Sequence, residues 1–384
     1  MSVYLVTGAS GVVGSAIVPV ILQQPDAKVY VLLRAKKGQA LDSRFEELKK
    51  FWREQYPVSS EALSTRVSPM NGEITEPLLG LNVADRDLLA ERCTNIIHCA
   101  ASVRMNLPLD EARQTALFPV KSVIELSKSC RASRKTEFIS TVGVGGRREG
   151  PLPERWITAP REFHNTYEAS KAEAEDLLSN EIAGGFPATI HRPSMVVGDS
   201  NTGAVIHFQI FYFICDFLSG RRTFGVYPDI SRGTLDIVPN DYVARAVVAS
   251  SADIATIGKI FHLCSGPQDA LRLIELRQIV RAKFRSVKRI GWLPTLDLTA
   301  ANFTRLMRAF AAFLPERERR AMGTLPVYLD YLSGVQQFSN EATTKQMIGY
   351  EIHAANNRQV LDMVLDFYLQ SLAPRSGNWE GKQR

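Results

Sequence analysis

Apolar positions along this chain recur with two alternating spacings. Compact apolar runs at 3–6 (VYLV), 28–33 (KVYVLL), 66–70, 95–99 (NIIHC), 136–140 (TEFIS) and 188–191 (ATIH) read as short buried strands. Segments with helical spacing separate them, among them 16–22, 44–52 and 165–178. Strands alternating with helices predict an α/β chain with a parallel sheet covered on both faces. Right-handed crossovers would make that sheet doubly wound, with ligands at the carboxyl ends of its strands.

Near residue 200 the alternation breaks up. Strand-like pieces at 234–238 and 259–264 mix with helical patterns at 241–250, 273–285 and 288–333. In the last of these, Phe303, Leu306, Met307, Phe310 and Phe313 repeat every three or four residues and read as a core stripe. The predicted division is a dinucleotide-binding domain over 1–200, with 235–265 returning to it. A smaller, mostly helical substrate-binding subdomain covers 201–234 and 266–373, and 374–384 forms a frayed tail. The longest apolar stretch, 204–218 (AVIHFQIFYFICDFL), contains His207, Gln209 and Asp216 and is shorter than the roughly 20 residues of a membrane span. It reads as a helix against the body or along an apolar pocket, with peripheral membrane contact as the alternative.

Composition narrows the class. With 45% hydrophobic and 22% charged residues in 384, the chain is neither disordered nor fibrous. A net charge of +6 favours an anionic ligand, but no aromatic-interleaved basic face or zinc-ligand spacing suggests nucleic acid. Five cysteines without a CxxC pair argue against disulfides or a bound metal and for a reduced, cytoplasmic setting. The first strand starts at Val3, which is expected to leave no room for a signal peptide.

Between the first strand and the first helix stands TGASGVVG, residues 7–14. Glycines let the backbone turn tightly and approach a pyrophosphate, while N–H groups at the helix start bind it. Thr7, Gly8, Ser10, Gly11, Val12, Val13 and Gly14 are therefore candidate dinucleotide contacts, in a sheet of the Rossmann type. The second strand ends in Arg34, Ala35, Lys36 and Lys37, where an NAD site usually carries a carboxylate. A guanidinium can grip a 2′-phosphate bidentately, so NADPH is expected with Arg34 as its reader; a solvated basic loop is the alternative.

Tyr167 and Lys171 lie four apart on one face of the helix over 165–178. A free Tyr titrates near 10, and a neighbouring ammonium is expected to lower that value and make the hydroxyl a usable acid or base. The strand at 136–140 ends next to two hydroxyls. Thr141 is favoured to hydrogen-bond the reacting carbonyl, with Ser140 as the alternate, since neighbouring side chains point to opposite faces.

TGASGVVG, LLRAKK, GEITEPLLGL, IIHCAASVRMN, FISTVGV, YEASK and HRPSMVVGDSNTG together resemble an extended short-chain dehydrogenase/reductase. More narrowly they resemble its thioester reductase and fatty acyl-CoA reductase (male-sterility-type) branch, over most of residues 1–245 including LDIVPNDYVARA. YLDYLSGVQQFSN, at 328–340, is similar to the end of fatty acyl reductases. The resemblance implies hydride transfer from NADPH to an acyl thioester, with collapse to an aldehyde. By position it implies that Tyr167 protonates the oxyanion, Lys171 tunes it and holds the nicotinamide ribose, and Thr141 orients the carbonyl. Arg34 and Arg44 match the basic pair near the 2′-phosphate, and Glu73 with Ile74 the segment along the adenine. Cys99, Ala100 and Ala101 would border the nicotinamide ribose, and Pro193 with Ser194 the nicotinamide.

One departure stands out. Where the family carries an Asn on the helix after the fourth strand, this chain has Ala116, followed by Pro119, which would disturb that helix from inside. As no adenylation or carrier domain stands ahead of the first strand, the thioester is expected on coenzyme A or a separate acyl carrier protein. Related folds often form homodimers through helices.

Phe208, Phe211, Tyr212, Phe213 and Phe217 are expected to line an acyl tunnel in part or to pack the subdomain. Arg221, Arg222 and Arg232 would meet phosphates or be solvated. Two other functions share these motifs: an extended short-chain dehydrogenase or epimerase acting on a ketone or nucleotide sugar, and a non-catalytic NADP-binding regulator.

Overall fold

The computed structural model describes residues 1–35, 38–105, 107–148, 150–311 and 337–372. Its first half alternates as predicted: β1 (Val3–Thr7), α1 (Val12–Ile21), β2 (Lys28–Leu33), α2 (Leu41–Gln55), α3 (Ser60–Thr65), β3 (Val67–Asn71), α4 (Val83–Arg92), β4 (Asn95–His98), α5 (Leu109–Ser129), β5 (Lys135–Ile139), α6 (Thr166–Ala183) and β6 (Ala188–Pro193). The second half runs β7 (Met195–Val197), α7 (Ile210–Leu218), β8 (Val226–Pro228), β9 (Thr234–Leu235), β10 (Ile237–Pro239), α8 (Asn240–Ala252), β11 (Ile260–Leu263), β12 (Leu271–Arg272), α9 (Leu273–Ser286), β13 (Leu296–Leu298), α10 (Ala300–Ala311), α11 (Glu341–Gly349) and α12 (Asn357–Ser371).

Seven strands form one sheet in the order β11-β6-β5-β4-β1-β2-β3, with every neighbouring pair parallel. This is the doubly wound Rossmann arrangement. The order reverses beside β1, which opens a crevice at the carboxyl ends of β1 and β4. On one face Ile17 and Ile21 of α1, Trp52 of α2 and Val243 and Val247 of α8 share a core; on the other Leu89 of α4, Val123 of α5 and Leu178 of α6 share another. Both faces are covered, so β1 is apolar without alternation and wholly buried.

A third apolar core lies outside the sheet, built from Phe211, Phe217, Tyr227, Leu276, Phe284, Phe303, Met307, Leu361 and Leu365. It binds α7, α9, α10 and α12 into the mostly helical subdomain. Phe303, Leu306 and Met307 of the predicted stripe serve it; the Phe310 side chain and Phe313 lie outside the described residues, as do Lys36, Lys37 and the tail 374–384.

Three expectations need correction. The apolar run 204–218 is helical only from Ile210, because Gly203 turns at φ +72° and the Ala204 carbonyl is held by the Asp199 N–H at 3.0 Å, leaving the start of the run outside the helix. The helix expected over 288–333 begins at Ala300; ahead of it Leu296–Leu298 pairs with β8, and Gly291 and Pro294 are poor helix formers. Residues 337–352 fall within the predicted substrate subdomain, yet Met347 and Ile352 bury in the core under α1, α2 and α8. Pro119 does lie inside α5, which continues through it from Leu109 to Ser129.

Candidate active site

Gly8 has φ +74°, and a Cβ there would stand 2.7 Å from the Ala100 nitrogen; one on Gly14 would stand 2.3 Å from the Gly8 oxygen. The β1–α1 turn is thus a cradle only glycine can make. No side chain caps α1 and no acid occupies its first turn, so its N–H groups and dipole suit an anion. The pyrophosphate of a dinucleotide fits this cradle.

Gly8, Gly11, Val12, Val13 and Gly14 line a cavity of about 510 Å³ together with Cys99, Ala101, Thr141, Tyr167, Lys171, Pro193 and Ser194. Thr7, Ser10 and Ala100 stand outside its wall. Thr7 is fully buried, its hydroxyl paired with His98 Nδ1 at 2.8 Å and accepting the Ala100 N–H at 3.3 Å. Its side chain ties β1 to β4 rather than facing a ligand. Burial, then the charge of Lys171, hold His98 down at about 3, so the ring behind the cradle is neutral.

Asn165 caps α6 by accepting the Glu168 N–H at 3.0 Å, and this cap sets the first turn that carries Tyr167. Thr141 caps the short helical turn after β5, accepting the Gly143 N–H at 3.1 Å, and its hydroxyl also bonds Tyr167. Ser140, the alternate, is buried and donates to Glu175, which leaves Thr141 as the hydroxyl beside Tyr167. Lys171 is buried and donates to the Ile139 carbonyl at 2.9 Å. Burial lowers it to about 8, against the opposing pull of Cys99 and Glu175.

The expected lowering of Tyr167 is not what the geometry produces. Burial and the nearby Glu168 push Tyr167 up to about 12, and the Thr141 hydrogen bond only moderates that. The Lys171 ammonium is turned to a backbone carbonyl instead. A Tyr held protonated has its proton in place for the direction a reduction requires, and as a weak acid it gives that proton up to a strongly basic oxyanion.

At the far end of the crevice Arg34 pairs with Glu73 at 2.8 Å, and Arg44 donates to the Arg34 carbonyl. Burial and the charge of Arg34 lower Arg44. Three residues from three parts of the sequence thus meet beyond the carboxyl ends of β2 and β3, with Ile74 half-buried beside them.

The family pattern described as male sterility protein, an NAD-binding domain, matches residues 6–247. The chain belongs to the male sterility protein family. Its fold and motifs are those of the extended short-chain dehydrogenase/reductase class. The terminal R domain of the myxalamid PKS-NRPS biosynthetic pathway is 27% identical, with a TM-score of 0.78 over 97% of this chain and 90% of that one. A linear gramicidin synthase protein of Brevibacillus parabrevis is 28% identical over 67% of this chain and 5% of its own length. A Drosophila melanogaster protein named as a fatty acyl-CoA reductase, CG8303, is 27% identical over 72% of this chain and 57% of its own. The chain therefore spans only part of the length of these last two relatives.

In this male sterility family member the aromatic run divides. Phe208 and Phe213 line the cavity with Gln209 and Ile210, whereas Phe211, Tyr212 and Phe217 bury in the subdomain core. Arg221 and Arg222 both close on the buried carboxylate of Asp216, at 2.8 and 2.6 Å. Sequence reasoning missed Val103, Arg104, Met105, Gly143, Met195 and Val196 on the cavity wall. Val103, Arg104 and Met105 sit in the loop after β4, Gly143 in the helical turn after β5, and Met195 and Val196 in β7, segments too short for periodicity to mark them. It also missed Glu175 and Arg192, although Glu175 follows Lys171 by one helical turn. No helix among the described residues is long and apolar enough to cross a membrane.

Proposed function

We propose that this chain reduces an acyl thioester, carried on coenzyme A or a carrier protein, to an aldehyde with NADPH. The observation that carries the reading is convergence. The glycine cradle, Thr141, Tyr167 and Lys171 open on one cavity whose outer wall is mostly apolar, with Met195, Phe208, Ile210 and Phe213 beside Arg104 and Gln209. An apolar wall suits an acyl chain better than a nucleotide sugar, and an intact donor set argues against a purely regulatory role.

The cofactor, when bound, supplies a hydride to the thioester carbonyl carbon. Gly8, Gly11 and the start of α1 would hold its pyrophosphate, Arg34 and Arg44 its 2′-phosphate, and Lys171 its nicotinamide ribose. Thr141 orients the carbonyl by hydrogen bonding its oxygen. Tyr167 donates its proton to that oxygen as charge develops there, giving a hemithioacetal. The carbon–sulfur bond then breaks, the hydroxyl proton is released as the carbonyl re-forms, and the thiol leaves with a proton. Overall one thioester, one hydride and one proton give one aldehyde and one thiol. A second hydride at the same site would give the alcohol.

The test mixes the protein with NADPH and acyl-CoA or acyl-carrier thioesters, beside ketones and nucleotide sugars, and follows cofactor absorbance and product. Thioester-dependent oxidation with aldehyde or alcohol formed is expected. Oxidation by ketones alone would refute the reading.

A further inference from the structure

Glu175 lies four residues beyond Lys171 on α6 and is buried. Its carboxylate accepts the Ser140 hydroxyl, Arg192 Nε at 3.0 and 3.2 Å and Arg192 Nη2 at 2.5 Å. Arg192 is 1% exposed and immediately precedes Pro193 on the cavity wall. Its Nη1 meets the Arg155 carbonyl at 3.1 Å and His262 Nε2 at 3.2 Å. His262 Nδ1 meets the Ser339 carbonyl at 2.8 Å. A carbonyl can only accept, so Nδ1 carries the hydrogen and Nε2 offers its lone pair to Arg192. Burial and the charge of Arg192 hold His262 down at about 3, in keeping with that neutral ring. These bonds form one continuous relay, from the end of β5 through α6 and β6 to β11 and the segment after residue 337.

We infer that Glu175 and Arg192 are a positioning pair that sets Lys171 and the β5 end for proton transfer. The inference rests on the catalytic reading of Tyr167 and Lys171. Fixing Ser140 to Glu175 turns the next side chain, Thr141, toward Tyr167. The two residues stand four apart on α6, about 6 Å of backbone rise and close to one helical turn, and both side chains are buried. The groups that act on Lys171 are His98 at the end of β4, Cys99 just after it, the Ile139 carbonyl of β5 and Glu175 of α6. His98 is neutral and Cys99 is held up as a thiol at about 12, so Glu175 is the carboxylate that sustains the ammonium. Removing its charge would leave Arg192 buried without a counter-ion and favour neutral Lys171.

The experiment compares kcat against pH for the full chain, Glu175→Gln, Ser140→Ala and Tyr167→Phe, with NADPH and one acyl-CoA. Glu175→Gln is expected to move the alkaline limb down by about half to one pH unit and to lower kcat about 10-fold at neutral pH, with KM changed less than about twofold. Glu175→Asp, which restores the charge, is expected to return most of the limb. Ser140→Ala should lower kcat about 3- to 10-fold with the limb unmoved, and it reads the pair even where Glu175→Gln does not fold. An inactive Tyr167→Phe beside an unmoved limb in Glu175→Gln, or an unchanged kcat in Ser140→Ala, overturns the positioning role alone. An active Tyr167→Phe overturns the catalytic reading and the pair's role with it.

Discussion

The Lys171 ammonium donates to the carbonyl oxygen of Ile139 at 2.9 Å, fastening the middle of α6 to the last residue of β5. A charge on α6 is thereby held at the carboxyl edge of the sheet, with Tyr167 one turn before it. Several measurable behaviours depend on this attachment and on its neighbours.

The first is pH dependence. Lys171, lowered to about 8 by burial, is charged below that pH and neutral above it. Tyr167, at about 12, stays protonated throughout. Activity that needs the ammonium should therefore fall above about pH 8 with unit slope in log kcat/KM. A limb at pH 10 or higher would remove Lys171 from control. For stability the sign differs: the unfolded Lys, near 10.5, binds its proton more tightly, so this group opposes folding at neutral pH and is relieved as pH rises from about 8 toward 10.5.

Tyr167→Phe keeps the ring and loses the proton. Its kcat should fall by about 10²–10⁴, while NADPH affinity, measured by fluorescence titration, stays within about twofold. Loss of cofactor binding to the same degree would assign Tyr167 a binding role instead.

Gly14→Ala places a methyl 2.3 Å from the Gly8 carbonyl oxygen, backbone against backbone, where no side chain can give way. The turn must open, at about 1–3 kcal/mol. A lower Tm and loss of NADPH binding are expected together, read by thermal melts with and without cofactor.

Arg34 reaches Glu73 at 2.8 Å, so a 2′-phosphate would compete with that carboxylate. Arg34→Asp should weaken NADPH about 10-fold or more with NADH little changed. Glu73→Gln should tighten NADPH by about two- to fivefold. Unchanged NADPH affinity in Arg34→Asp, or weaker NADPH binding in Glu73→Gln, would contradict the assigned reader.

Phe213 stands at the cavity wall, 55% exposed. Phe213→Ala should raise KM for long acyl thioesters by several-fold and spare short ones, since about 0.8 kcal/mol attends each buried methylene. Equal effects on all chain lengths would place the acyl group elsewhere.

The alternation of strands and helices is plain in the first half because a sheet covered on both faces demands near-continuous apolar runs such as Val3 to Val6. The cradle is legible for a similar reason: Gly8 and Gly14 stand where backbone approaches backbone, and no other residue fits. Tyr167 and Lys171 show themselves by helical spacing. The second half is harder to read. Residues 204–209 and 288–299 are apolar or helix-compatible in sequence, yet in the fold they form bends, turns and a short strand.

Local pattern and stereochemistry by themselves determined the alternation of strands and helices, the glycine turn and the Tyr–Lys spacing, because each depends on neighbours close along the chain. Only the tertiary structure decided which hydroxyl stands by Tyr167, since that depends on Glu175 drawing Ser140 away. It also decided that Tyr167 is raised rather than lowered, that Thr7 serves His98, and that Arg34 meets Glu73. Burial and charge act through space, and the partners that set them are separated by up to 91 residues of sequence.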